Sequence, residues 1–495
     1  MVDAVIVHAG DSVATLLHDG GAGDRIDTGA AVLTLAHDVP RGHKIALAPI
    51  AAGTDVMKYG YSIGRATDAI AAGGHVHSQN LSTGLAGTLE YGFDPASDSP
   101  ALAPSPAPTA TFRGFVRPDG RVGTRNEIWI LPTVGCVART AERIAAKASA
   151  RLAGTIDGVH AFSHPHGCSQ LGHDLDGTRQ ILASLACHPN AGGVLIVGLG
   201  CEENQVKALI EAIPAWRRPA IRTLTAQLSA DEVEEGIALV EELAALAACE
   251  RQEVGLDRLV LGVKCGGSDG LSGLTANPLV GRMSDRVVGA GGRVVFTEIP
   301  EMFGAEQALM NRAADVAVFD AIVGVVNGFK QYFIDHGEPV SENPSPGNVV
   351  GGITTLEEKS LGAVQKAGRS TIADVIPYGA QARIDGLTML EAPGNDAVSS
   401  TALAAAGATM ILFTTGRGTP LGFPVPTIKI ASNSDLAQRK PGWIDFDAGQ
   451  VLAQGFAAAE TALVDCIRSI ASGAETAAER NGEREIAIWK RGVTL

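Results

Sequence analysis

From residue 112 onward, short apolar runs alternate with segments that repeat apolar residues every three or four positions. Short runs rich in valine, isoleucine and leucine are typical of strands buried on both faces, and the segments between them are typical of covering helices. Because strand and helix alternate, we expect an α/β fold built on a parallel sheet. The runs that carry this prediction lie at residues 127–134, 158–163, 193–199, 259–263, 293–296, 387–390 and 410–413.

The first 93 residues follow a different pattern, with brief β-type runs about every ten residues and glycine or proline between them. Such spacing predicts a small all-β module. The module ends near His75 and His77, whose alternation in a strand places both imidazoles on one face, where they suit a metal or a carboxylate as a possible second site. The alternative is a pair of solvent-facing histidines on a strand edge.

Residues 94–111 contain five prolines and no aromatic residue, which predicts a semi-rigid linker. A chain of 495 residues is too long for one core. We therefore expect a β module at residues 1–93, the linker at 94–111, a middle α/β domain at 112–252 and a C-terminal catalytic domain at 253–495.

Charge and cysteine content narrow the class of protein. A net charge of −15 argues against nucleic acid or an anionic membrane as partner, but leaves an anionic small substrate open. We find neither a basic leader nor an apolar stretch of membrane-spanning length. Seven cysteines, an odd number, fit reduced thiols better than a disulfide framework, so the cytoplasm is the expected location.

Four cysteines, Cys136, Cys168, Cys201 and Cys265, come directly after predicted buried strands. The carboxyl ends of parallel strands meet at one edge of a sheet, so we expect Cys168, Cys201 and Cys265 to approach one another at an iron site. Thiolates suit iron, zinc or an iron–sulfur cluster, although no C-x-x-C spacing is present. The alternative is that these are small residues that permit tight turns.

Charged and polar side chains occupy the same strand-end loops. Any one of them is also explained as a solvated loop charge or a helix cap. Taken together they are candidates for proton transfer and for anion binding. They are His164, His166, Asp269, Glu298, Lys359, Asp396 and Arg417.

Long motifs extend along the chain: RGHK (41–44), HVH (75–77), RNEIWILPTVGCV (125–137), HGCSQLG (166–172), CGGSDGLSGLTANP (265–278), EIPEMFGAE (298–306), APGNDAVSSTALAAAG (392–407) and TTGRGTP (414–420). In these motifs the chain resembles the altronate and galactarate dehydratases over essentially its whole length. The 94–111 linker is the least similar segment.

The resemblance implies an N-terminal β-clip module of the SAF type, a middle domain often used for dimerisation, and a Rossmann-like C-terminal domain. It also implies dehydration of D-altronate to 2-dehydro-3-deoxy-D-gluconate, with iron as Fe²⁺. An iron–sulfur cluster and Mn²⁺ are the alternatives for the cofactor, and a homodimer is the expected assembly.

Dehydration of a 2,3-dihydroxy acid removes the C2 proton and expels the 3-hydroxyl, which requires a base, an acid and stabilisation of an enediolate. His164, His166 and Lys359 are the candidates for proton transfer, and Arg417, Asp269, Asn395 and Ser268 for substrate binding. A nearby alternative is dehydration of galactarate or another aldarate or aldonate. An alternative of another class is a non-catalytic sugar-acid-binding module.

Overall fold

The computed structural model describes residues 3–95 and 110–495, and in it the N-terminal module consists of short antiparallel strands. One sheet has the order β1-β2-β5-β8, a second has the order β6-β7-β9, and β3 pairs with β4. The predicted small all-β module is thereby confirmed. Its strands are β1 (Ala4–Val5), β2 (Val13–Leu16), β3 (Arg25–Asp27), β4 (Val32–Thr34), β5 (Lys44–Ala46), β6 (Asp55–Lys58), β7 (Tyr61–Ala66), β8 (His75–Val76) and β9 (Leu81–Ser82).

The middle part of the chain contains a four-stranded parallel sheet in the order β13-β12-β14-β15. Its strands are buried on both faces, as their apolar sequences require. A small antiparallel sheet, β11-β10-β16, stands beside it. The elements are β10 (Thr111–Val116), β11 (Val122–Gly123), β12 (Glu127–Pro132), α1 (Ala138–Arg151), β13 (Gly158–Ala161), α2 (Gly172–Ala186), β14 (Ala191–Gly198), α3 (Val206–Ala212), β15 (Ile221–Thr225), α4 (Glu232–Leu246) and β16 (Gln252–Gly255).

The C-terminal part is built on a seven-stranded parallel sheet in the order β19-β20-β18-β17-β21-β22-β23, which confirms the Rossmann-like fold. Its elements are β17 (Val260–Cys265), α5 (Ala276–Gly289), β18 (Arg293–Phe296), α6 (Glu306–Met310), α7 (Val316–Asp335), α8 (Pro346–Val350), α9 (Leu356–Ala363), β19 (Ile372–Ile376), β20 (Gly386–Leu390), α10 (Asp396–Ala405), β21 (Met410–Thr415), β22 (Thr427–Ala431), α11 (Ser434–Arg439), β23 (Phe446–Asp447), α12 (Val451–Gln454), α13 (Phe456–Ala471) and α14 (Ala477–Arg480).

Both parallel sheets reverse the direction in which strands are added. In the C-terminal sheet the chain adds β18, β19 and β20 on one side of β17, and then β21, β22 and β23 on the other. In the middle sheet β13 lies on one side of β12, and β14 and β15 lie on the other. Crevices at such switch points are the usual ligand sites of open α/β sheets, so the fold offers two.

One of the expected segment boundaries falls on a described element. Most of the 94–111 linker, residues 96–109, lies outside the described residues. The expected boundary between residues 252 and 253 falls inside β16, which pairs with β10 from Thr111↔Gly255 to Gly114↔Gln252. No helix in the described ranges combines the length and the apolar character needed to cross a bilayer.

The N-terminal module is held against the C-terminal domain by a buried ion triad. Glu358 on α9 accepts from Lys44 at 2.8 Å and from Lys58 at 2.9 Å, and all three side chains are almost fully buried. Burial alone would raise the pKa of Glu358, but the two ammonium groups outweigh it and lower the pKa to about 2. Glu358 is therefore ionised at neutral pH and is the counter-ion of both lysines.

We expect Glu358→Gln to destabilise the protein by about 3 to 5 kcal/mol, because it leaves two buried ammonium groups without a carboxylate. The measurement is the temperature of thermal unfolding, followed by calorimetry. Glu338→Gln removes an exposed carboxylate from the same domain and serves as the control. Equal unfolding temperatures for the two variants would show that the triad does not stabilise the docked module.

Candidate active site

A network of buried charges lies at the carboxyl ends of β17 and β18, beside the switch point of the C-terminal sheet. Lys264 on β17 contacts Glu298 at 2.6 Å and Asp396, the first residue of α10, at 2.9 Å. Lys366 contacts the other oxygen of Glu298 at 2.9 Å. Glu298 is completely buried, whereas the Asp396 side chain is 37% exposed, so Asp396 is where the network reaches solvent.

The backbone of Glu298 is in the left-handed region, with φ 76° and ψ 54°. A non-glycine residue in this region costs on the order of 1 to 3 kcal/mol, and such strain clusters at functional sites. The turn directs the carboxylate back toward β17, where it also accepts from the Cys265 backbone N–H at 3.1 Å. The strained turn therefore places one carboxylate between two lysines.

The charges in this network are fixed by their partners. Burial alone would lower the pKa of Lys264, but Asp396 and Glu298 outweigh it and the pKa is raised. The pKa of Lys366 is also raised, because Cys265 and Glu298 outweigh the effect of burial. Both lysines are thus ammonium groups at neutral pH, held in a low-dielectric environment where their effect on a bound anion is large.

A cavity of about 510 Å³ opens next to this network. Lys359 reaches its wall, 2.8 Å from Glu301 and 3.1 Å from the Asn343 side-chain oxygen. Burial would lower the pKa of Lys359, but Glu301 outweighs it and the pKa is raised. The cavity therefore combines an ammonium group with a half-exposed carboxylate and an aromatic wall; its lining includes Glu301, Phe329, Tyr332, Phe333, Lys359, Asn395, Asp396 and Trp489.

The residues expected to bind substrate divide into two groups. Asn395 lines the cavity and also caps α10, accepting from the N–H groups of residues 397 and 398. Arg417 is exposed at the rim, where one guanidinium N–H donates to the Gly347 carbonyl at 3.1 Å.

Asp269 and Ser268 instead organise the loop after β17. Asp269 accepts from the hydroxyls of Ser272 and Ser432 and from the Asn433 amide, and the Ser268 carbonyl accepts from Asn348. The Asp269 carboxylate is thus occupied by donors of its own loop and of the segment after β22.

A group of three histidines lies at the contact between the N-terminal module and the loop before α9. The ligand atoms of His43, His75 and His77 all lie within 4.8 Å of one another. Burial lowers the pKa of His75 and of His77 to about 4, and it also lowers that of His43. The imidazoles are therefore neutral at neutral pH, which is the form that binds a metal.

This histidine group is connected directly to the C-terminal domain. His43 Nε2 contacts the Val350 carbonyl at 3.2 Å, and His77 Nδ1 contacts the Thr354 hydroxyl at 2.9 Å. The turn before β5 fits the domain closely, because a Cβ at Gly270 would lie 1.9 Å from the Gly42 carbonyl oxygen. Module and domain thus build this histidine site together.

His164 and His166 lie on the other parallel sheet, in the loop after β13. His164 is buried, its Nε2 contacts the Pro132 carbonyl at 2.8 Å, and burial lowers its pKa to about 4. His166 is half-buried beside the C-terminal segment that contains Trp489. Of the residues expected to transfer protons, Lys359 is therefore the one that lines the cavity.

The structure does not bring Cys168, Cys201 and Cys265 together, which corrects the expected grouping. Cys168 and Cys201 follow strands of the middle sheet and are exposed, whereas Cys265 ends a strand of the C-terminal sheet and is buried. The neighbours of Cys265 within ligand distance are Glu298 and Glu301. The prediction treated all strand ends as one edge, although the chain builds two separate sheets.

Several members of the site were not found in the sequence. Lys264 lies inside an apolar run, where a charge is unusual, and that interruption was the available signal. His43 stands in the RGHK motif but shares no local pattern with His75 and His77. Glu301 and Lys366 have no local signal, because only the folded chain places them beside Cys265.

Comparison with known proteins assigns the class. The family model "D-galactarate/Altronate dehydratase, C-terminal" matches residues 256–494, "D-galactarate dehydratase/Altronate hydrolase, second domain" matches 114–248, and "Altronate/galactarate dehydratase SAF domain" matches 2–84. These three models together define a dehydratase class with a SAF module at its N-terminus.

Full-length relatives define the family. An altronate dehydratase of Escherichia coli (strain K12) is 50% identical over 99% of this chain and 99% of its own, and one of Bacillus subtilis (strain 168) is 47% identical over the whole of both. A galactarate dehydratase (L-threo-forming) of Escherichia coli (strain K12) is 33% identical over 90% of this chain and 88% of its own. The chain is an enzyme of the altronate/galactarate dehydratase family.

Cys265 is expected to resist alkylation in the folded protein. It is 1% exposed, and burial, with Glu298 adding to it, raises the pKa of its thiol to about 12. Iodoacetamide at pH 8 should therefore modify the exposed Cys136, Cys168, Cys201 and Cys249 of the reduced, metal-free protein but leave Cys265 free, as read by peptide mass spectrometry. The denatured chain, alkylated at all seven positions, is the control. Modification of Cys265 at the rate of Cys249 would contradict the buried network.

Proposed function

We propose that this enzyme converts D-altronate to 2-dehydro-3-deoxy-D-gluconate and water. The observation that carries the proposal is full-length similarity, at 50% and 47% identity, to two altronate dehydratases. The cavity beside Lys264 supports it, because it combines proton-transfer groups with fixed positive charge. A non-catalytic binding module would need neither the strained Glu298 turn nor three buried lysines.

Each charged group in the cavity has a role in this reaction. Asp396, the most exposed carboxylate of the network, takes the C2 proton. Lys359, held as an ammonium group by Glu301, donates a proton to the departing 3-hydroxyl, which leaves as water. The resulting enol tautomerises to the 2-keto acid, and both transferred protons are accounted for.

Fixed cations oppose the negative charge that develops on the substrate carboxylate and C2. Lys264 is positioned for this role by Glu298, which divides its charge between Lys264 and Lys366. Arg417, at the rim, offers the planar fork that a carboxylate fits. Asn395 completes the polar wall.

Iron is part of the proposal, and the two possible ligand groups differ in how well they fit it. The three neutral imidazoles of His43, His75 and His77 fit a divalent iron, which binds imidazole well. The Cys265, Glu298 and Glu301 group does not fit, because its thiol holds a proton and Lys264, Lys359 and Lys366 neutralise its carboxylates. When bound, Fe²⁺ would supply a Lewis acid that stabilises negative charge.

The cellular setting belongs to the same proposal. We infer a reducing, cytoplasmic location, supported by seven cysteines that are all free, four of them exposed. We also infer a homodimer, on the resemblance of the middle domain to one used for dimerisation.

Asp396→Asn is expected to lower kcat for altronate by about 10²-fold or more, since an amide cannot accept the C2 proton. The assay follows the 2-keto-3-deoxy product under anaerobic conditions with Fe²⁺ present, and Asp320→Asn, an exposed change on α7, is the matched control. Turnover of galactarate in place of altronate by the unchanged enzyme would move the substrate assignment to the aldarate. Binding of altronate without product from either acid would favour the binding module.

Removal of one imidazole should release the proposed iron. We expect His75→Ala and His77→Ala to lose about one iron per chain, measured by elemental analysis after anaerobic loading and desalting. His18→Ala, an exposed histidine of the same module, should bind as much iron as the unchanged protein. Full iron content in both His75→Ala and His77→Ala would exclude this group as the iron site.

A further inference from the structure

The middle sheet carries three glycine–cysteine pairs at its carboxyl edge, and the proposed dehydration uses none of them. Cys136 follows β12, Cys168 follows β13 and Cys201 follows β14, and each is preceded by a glycine. These are three adjacent strands in the order β13-β12-β14, so all three thiols stand at the switch point of this sheet. Neighbouring strands are about 4.8 Å apart, and this spacing sets the approximate distance between the loops that carry the three thiols.

Hydrogen bonds tie the three cysteine loops together. The Gly135 N–H donates to the His166 carbonyl at 2.9 Å, which joins the loops of Cys136 and Cys168. The Asn204 N–H donates to the Gly167 carbonyl at 3.1 Å, and this joins the loops of Cys168 and Cys201 across the end of β12. The three thiols are thus presented by one connected structure.

Left-handed backbone on both sides of Cys168 maintains this arrangement. Gly167 has φ 99°, and a Cβ there would lie 2.0 Å from the Thr133 carbonyl oxygen, so only glycine fits. Ser169, directly after Cys168, has φ 56°, which is unusual for a residue with a side chain. Such a strained position is expected where the direction of a side chain matters.

The three thiols are all exposed, and Cys249, after α4, is the other exposed cysteine. Cys187 and Cys265 are buried, and Cys466 is partly buried. The Ser169 hydroxyl lies 4.0 Å from Cys168, the Gln227 amide lies 3.5 Å from Cys201, and the Glu203 carboxylate accepts a hydrogen bond from the Cys168 thiol. Three exposed thiols provide a set of soft ligands, and the nearby carboxylate adds an oxygen.

The spacing of the sulfurs does not fit a single tetrahedral ion. Sulfurs bound to one tetrahedral ion at about 2.3 Å lie roughly 3.8 Å apart. In the described residues the three thiols do not form a group within 4.8 Å, whereas the three histidines do. A polynuclear cluster, in which each thiolate binds a different iron, fits a wider spacing.

We propose that Cys136, Cys168 and Cys201 bind a [4Fe–4S] cluster through three thiolates, which leaves its fourth iron to a solvent or small oxygen ligand. The remaining cysteines of the middle domain, Cys187 and Cys249, follow α2 and α4, and those helices run back to the opposite edge of the sheet. The site rests on the three loops alone and does not depend on which acid the enzyme dehydrates.

The C-terminal segment connects this edge to the candidate active-site cavity. Trp489 lines the cavity, and six residues later the Leu495 N–H donates to the Ser169 carbonyl at 3.0 Å. Between them the Gly492 N–H donates to Asp174 at 2.8 Å. A cluster at the thiol edge would therefore be in contact with the segment that forms one wall of the cavity.

The test is anaerobic reconstitution of the full chain with Fe²⁺ and sulfide. We expect about four sulfides and four cluster irons per chain, together with a broad visible absorption that dithionite bleaches. Cys136→Ser, Cys168→Ser and Cys201→Ser should each lose most of the sulfide and the absorption. Cys249→Ser, an exposed cysteine of the same domain, should keep both, and circular dichroism checks the fold of every variant.

Sulfide separates this site from the histidine group, because His75→Ala should lose iron but no sulfide. The proposal is overturned if the unchanged chain takes up no sulfide, if it binds a single zinc or iron through these thiols, or if Cys249→Ser loses as much sulfide as Cys168→Ser. A Cys136–Cys168 disulfide that persists after reduction and reconstitution would also overturn it. Failure of altronate turnover would leave the sulfide measurement unaffected, and the reverse also holds.

Discussion

A single buried carboxylate, Glu358, is the shared counter-ion of two lysines that come from another domain. Lys44 and Lys58 are as deeply buried as Glu358, and an unpaired ammonium group in such surroundings costs several kcal/mol. The lysines can be buried only against α9, and α9 can bury Glu358 only when the module has docked. The histidine group and the loop before α9 depend on this contact, because both lie in the same interface.

Lys359, the residue after Glu358, makes the cavity depend on the docked N-terminal module as well. Consecutive residues of a helix point about 100° apart, so Glu358 faces the module while Lys359 faces Glu301 and the cavity. Every residue of α9 is buried, which leaves the helix little freedom to rotate. The N-terminal module therefore helps to set the position of Lys359 without lining the cavity itself.

The sequence predicted elements better than it predicted their assembly. The buried strands, the small β module and the loop position of Asn395 follow from apolar runs that end in polar turns, whereas Lys359 reaches the cavity from helix α9. The prediction that Cys265 lies with Cys168 and Cys201 was wrong, because a position after a strand does not show which sheet the strand joins. Lys264 was overlooked because a lysine within an apolar run finds its counter-ions, Glu298 and Asp396, only in the folded chain.

Each parallel sheet brings reactive side chains to its switch point, and burial then gives the two sites different chemistry. In the C-terminal sheet, low dielectric and paired lysines keep Cys265 protonated and strengthen every charge around the cavity. In the middle sheet the same topology presents thiols to solvent. Position on the sheet thus selects where reactive side chains gather, and the burial of each strand end decides whether they form a closed network of paired charges or stand open to solvent.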